Sequence, residues 1–107
     1  RLEERPLLVL KSDGSSEPYD REKLMRGILI ACAKRPIPPQ TINQLIDEIE
    51  IEARNFPRRE VPSKKLGEMA LARLSQLDDV AYIRFASVYQ DFKSIDEFLS
   101  ALKDIKR

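Results

Sequence analysis

"VLKSDGSSEPYDREK", residues 9–23, decides how the rest of the chain is read. Branched apolar residues at positions 7–10 run into Lys11 and stop at Ser12-Asp13-Gly14, the pattern of a strand entering a turn. Gly14 supplies the positive φ that a hairpin turn requires. Residues 16–19 form a short return strand, and Pro18 marks it as an edge or irregular piece, because proline donates no N–H to a ladder. Asp20 is the N-cap of an amphipathic helix reaching about residue 34, with Leu24, Ile28, Ala31 and Cys32 on one face. Lys11 and Lys23 thus stand at the two ends of one strand-turn-helix corner, with Glu17 between them.

A helix start is a poor place for a cation. Its free N–H groups and its dipole favour an anion, and a lysine there is mildly disfavoured. Lys23 beside Lys11 makes sense if a polyphosphate sits between them, with Glu17 accepting from a ribose hydroxyl or a base amino group. The plain alternative is a solvated surface, where lysines are the default. On the residues alone both readings stand.

Outward from this corner the chain reads as helices. Three prolines in "KRPIPPQ", residues 34–40, end the first helix. The second covers residues 39–54, with Ile42, Leu45, Ile46, Ile49 and Ala53 as a buried stripe. "NFPRREVP" is a loop, and Ser63 caps a third helix over residues 63–77 that buries Leu66, Ala70, Leu74 and Leu77. Asp78 or Asp79 caps a fourth, "VAYIRFASVYQDF", apolar nearly all round and therefore expected to be central. Ser94-Ile95-Asp96-Glu97 is a capping box that opens a final helix through residue 105. The expected fold class is mainly α (α+β): a short N-terminal β-hairpin packed on a bundle of four to five helices.

Composition removes several chemistries. There is no histidine, so imidazole catalysis and His-ligated metal sites are excluded within this sequence. One cysteine, Cys32, makes neither a disulfide nor a zinc ribbon; it reads as a small buried residue and fits a reducing cytoplasm. Glycines at 14, 27 and 67 alone cannot write a P-loop, so bound phosphates must be met by lysines and helix ends. No apolar run approaches the ~18 residues of a membrane span. The net charge of +1 gives no global field for nucleic acid. Paired carboxylates such as Glu50 and Glu52 fall on polar helix faces or at caps and single out no acid/base pair, so no enzyme is expected.

Three further features carry two readings each. "RREVPSKK" places Arg58, Arg59, Lys64 and Lys65 around a helix start, either a charged loop with an ordinary cap or a second contribution to an anion site. Arg84, between Ile83 and Phe85, is expected in an ion pair with a carboxylate. Tyr82 and Tyr89 share a helix face and serve the core or stack on a base.

"VLKSDGSSEPYDREKL", "AKRP", "REVPSKKLGE" and "LDDVAYIRFASVYQDF" together resemble the ATP-cone domain of NrdR-type repressors of ribonucleotide reductase genes. The V-x-K-x-D-G opening is shared by ATP-cones generally, whereas "EVPS" and "VAYIRFASVY" are distinctive of the repressors. The resemblance implies a cone over residues 7–98, a linker remnant of an N-terminal zinc ribbon at 1–6, and a tail at 99–107. It implies ATP or dATP as the bound effector, with Val9 at the base and Lys11 and Lys23 at the phosphates. Glu17 and Asp20 would line the nucleoside side, Ser63 would offer its hydroxyl, and Tyr89 would be the tyrosine nearest the nucleotide. Ser12 and Gly14 belong to the same turn; many cones carry a basic residue where Ser12 stands. Family function implies a cytoplasmic homo-oligomer whose assembly follows the nucleotide. Operator DNA would be bound through a four-cysteine zinc ribbon outside this sequence. An activity-site cone of a reductase large subunit and a nucleotide-free helical interaction domain are the alternatives; "VAYIRFASVYQDF" argues against the first.

Overall fold

The computed structural model describes residues 5–89. Its elements are β1 (Leu8–Leu10), β2 (Ser16–Pro18), α1 (Arg21–Ala31), α2 (Pro39–Arg54), β3 (Glu60–Pro62), α3 (Ser63–Leu77) and α4 (Asp79–Tyr89). This is the expected mainly helical α+β architecture with a small sheet. The expected final helix and its capping box at 94–97 lie outside the described residues.

The hairpin forms as its turn residues require. β1 and β2 are antiparallel, with Val9 opposite Glu17. Gly14 takes φ +91° and donates to the Lys11 carbonyl at 3.0 Å, while Lys11 N–H donates to Ser15 at 2.7 Å. The Asp13 carboxylate accepts from the Ser15 hydroxyl and N–H at 2.6 and 2.9 Å, bonds that lower its pKa.

One strand was not expected. Within the presumed loop "NFPRREVP", Glu60–Pro62 pairs parallel to β1, with Val9 beside Val61, so β1 is the central strand of three. Three residues that include a proline carry no alternation of their own. They become a strand only because β1 offers a free edge. The turn before β3 places Arg58 and Arg59 at φ 59° and 52°, a left-handed conformation that costs on the order of 1 kcal/mol per residue.

The α2 stripe is buried as its period demands: Ile42, Leu45, Ile46, Ile49 and Ala53 all join the core, with Val9, Val61, Ile28, Ala70 and Leu74. α4 is not central. It packs on α3 and α1 through Ala81, Tyr82 and Ala86, while Val88 is 82% exposed. Its apolar residues pack on α1 and α3 along one side and meet water on the other.

Two polar clasps hold α4 in place. Asp78 Oδ1 accepts from Ala81 N–H at 2.9 Å, capping α4, and both carboxylate oxygens accept from Arg35 Nε at 3.1 and 3.0 Å. The amide bond first, and Arg35 after it, hold Asp78 below the ordinary carboxylate pKa. Arg84 was expected to find a carboxylate. Instead it donates to the carbonyls of Ala31 and Ala33 at 3.2 and 2.7 Å, where α1 ends and its last carbonyls lack helical partners. Cys32, the C-cap of α1, is buried, and burial pushes its thiol pKa up.

Candidate anion-binding site

β1 carries Lys11 just past its end, and α1 carries Lys23 on its first turn. The two ammonium groups converge on one carboxylate: Lys11 Nζ lies 3.8 Å from Glu17 Oε1, and Lys23 Nζ 3.4 Å from Oε2. Both lysine side chains stay largely in water, 46% and 66% exposed. Exposed pairs of this length are weak. Two ammonium groups thus share one carboxylate, with Asp13 close enough to Lys11 to feel its charge.

The parallel β1–β3 register completes this corner. Leu10 is paired with Pro62, so Lys11 and Ser63 are the next residues on adjacent chains, and α3 begins beside the hairpin turn. Ser63 was expected to be the N-cap. That position belongs to Pro62, at φ −60° and ψ 138°, and Ser63 is the first helical residue. Proline offers no side-chain cap, so the first amides of α3 receive no bond from the cap residue.

β3 also divides the presumed basic cluster. Arg58 and Arg59 precede the strand, whereas Lys64 and Lys65 follow it, about 10 Å further along. Only the lysines share the end of the sheet where Lys11 stands. Lys65 is 3.5 Å from Glu68.

The remaining expected residues are placed as follows. Val9 is buried in the core opposite Glu17. Ser12 and Gly14 are exposed in the turn. The Asp20 carboxylate accepts from Glu22 N–H at 3.0 Å, capping α1 as expected. Tyr89 closes α4, and its side chain lies outside the described residues.

Sequence reading missed Glu50. Assigned to a polar helix face, it is only 8% exposed, the one charged residue buried as a whole among the described residues. Its spacing in α2, one residue after Ile49 and three before Ala53, was the available signal, because that places it at the margin of the apolar stripe. A groove of about 340 Å³ lies between α2 and α3, lined by Thr41, Leu45, Arg73 and Leu77 among others, and includes none of the expected site residues. Among the described residues no acidic or sulfur cluster could hold a metal ion, and no helix is long and apolar enough to cross a membrane.

Residues 7–95 match the family model of the ATP cone domain. Across 105 residues the chain is 51% identical to the transcriptional repressor NrdR of Geotalea uraniireducens, covering 98% of this chain and 70% of that protein. NrdR of Acetivibrio thermocellus is 48% identical over the same shares, and NrdR of Halalkalibacterium halodurans 45% identical over 97% and 68%. The chain belongs to the NrdR family of transcriptional repressors, through its ATP-cone domain. These relatives are named as repressors, which sets the chain apart from the cones of reductase subunits.

Proposed function

We propose that this domain senses adenine nucleotides for a repressor of ribonucleotide reductase genes, binding ATP or dATP at the corner formed by β1, β2, α1 and the start of α3. One observation carries the reading: Lys11 and Lys23, on separate elements, converge on the single carboxylate of Glu17 beside a helix N-terminus. Phosphate oxygens take the lysines and the α3 amides, with Ser63 at the same helix start. Glu17, released from the lysines, turns to the ribose or base with Asp20 beside it. Val9 and the Ser12–Gly14 turn form the floor and rim.

The output is assembly. ATP and dATP shift a homo-oligomer between states for which they have different affinities, as any ligand-driven switch requires. Operator DNA is met by a zinc ribbon outside this sequence, in a cytoplasmic regulator with no catalytic step of its own. Titration calorimetry tests the site: ATP and dATP bind with micromolar-order dissociation constants, about 8 kcal/mol. Sedimentation tests the output, with distributions that differ between the two nucleotides. A chain that gives no heat with either nucleotide refutes the site. Identical sedimentation in both refutes the switch.

A further inference from the structure

Glu50 is a costly residue to have in this core. A buried carboxylate must be fully paired, and apolar replacements of similar size often serve stability as well or better. Its partners show what it holds. Oε2 accepts the Tyr19 hydroxyl at 2.7 Å, and Oε1 lies 2.9 Å from Arg21 Nη1 and 3.8 Å from Arg54 Nη2. Arg21 is in turn 2.9 Å from Asp47 and reaches the side-chain oxygen of Asn43 at 3.4 Å. Burial first, and the bond to Glu50 after it, raise the Tyr19 pKa, so the phenol stays a donor across the neutral range.

Tyr19 and Arg21 are not arbitrary partners. They flank Asp20, the N-cap, at the corner where β2 ends and α1 begins. Glu17 lies two residues before Tyr19, and Lys23 two residues after Arg21. A single carboxylate on α2 therefore grips the corner on both sides. The angle of that corner sets whether the Glu17 carboxylate and the Lys23 ammonium meet at 3.4 Å or swing apart.

We infer that Glu50 is a positioning residue for the anion site, clamping the β2–α1 corner through Tyr19 and Arg21 so that Glu17 and Lys23 face one ligand. The inference rests on the nucleotide reading above. It differs from a stabilising role because it requires the effect of Glu50 on binding to pass through Lys23.

A double-mutant cycle makes the distinction. Calorimetric titration with ATP is carried out on wild type, Glu50→Gln, Lys23→Ala and the double variant, each checked for folding by circular dichroism. Glu50→Gln weakens ATP about tenfold in the wild-type background and less than about twofold where Lys23 is already gone. Should Glu50→Gln fail to fold, Tyr19→Phe removes only the hydroxyl, and a roughly threefold loss follows the same dependence on Lys23. Equal losses in both backgrounds, or no loss with the fold intact, overturn the clamp while leaving the nucleotide site standing. A wild-type chain that binds no ATP removes the site itself, and the clamp with it.

Discussion

At the hairpin corner Lys11 and Lys23 share Glu17 at 3.8 and 3.4 Å, with much of each side chain in water. Where α1 ends against α4, Arg35 holds the nearly buried Asp78 at 3.0 Å and Arg84 donates to two carbonyls at and just past the helix end. Both places set basic residues beside the chain's own acceptors, yet they differ in what is left over. The second is saturated: Asp78 caps a helix and takes a guanidinium, and Arg84 fills carbonyls that would otherwise lack partners. The first is longer-range and looser, with two lysines on one carboxylate and much of each side chain in water. Similar residue types thus give a saturated clasp in one place and a loose, exposed pairing in the other, the pairing at which the nucleotide site is proposed.

The contrast makes stability and binding separable by mutation. Asp78→Ala, which removes the α4 cap and leaves Arg35 unpaired, should cost about 3 kcal/mol. That is a fall in Tm of roughly 10–15 °C for a domain of this size, with ATP affinity per folded molecule unchanged; calorimetry reads both. Lys11→Ala should do the reverse. Losing one charge-assisted contact weakens ATP by about 10- to 30-fold, leaves adenosine binding unaffected and keeps Tm within about 2 °C.

Acid sharpens the difference further. Because Asp78 is held below its ordinary pKa in the fold, its stabilisation is present above the unfolded value, near 4, and is lost as pH falls through the folded one. Urea midpoints should drop further between pH 5 and pH 3 in wild type than in Asp78→Ala; parallel curves would deny Asp78 this role. The smallest effect belongs to the turn. Gly14→Ala places a Cβ where no atom lies within 4 Å, so its cost is torsional alone, about 1 kcal/mol, measured by urea unfolding.

What the sequence disclosed follows from how local each feature is. The α2 stripe was legible because helix period alone dictates it, and the hairpin because Asp13-Gly14 carries its own geometry. Lys11, Glu17 and Lys23 could be singled out because one turn brings them together. β3 could not, since it exists by pairing with a strand some 50 residues earlier. That missing strand also explains why Arg58 and Arg59 were grouped with Lys64 and Lys65, and why Ser63 was taken as a cap. α4 reads as apolar all round from its composition, which cannot tell a fully buried helix from one with an exposed face at Val88. Glu50 was hidden for a similar reason. Its place at the margin of the stripe signals burial, but not that Tyr19 and Arg21 will enclose it.

The central place of β1 also orders events during synthesis. Its first edge is covered by β2 within a few residues, but its second waits for Glu60–Pro62, about 50 residues later. At ribosomal rates of about 5–20 residues per second that interval is several seconds. Through that time a nascent chain presents Leu8–Leu10 as an open, apolar strand edge, the kind that pairs with neighbouring chains. Slower translation through residues 11–60 should therefore lower the soluble yield, and a chaperone that shields strand edges should restore it.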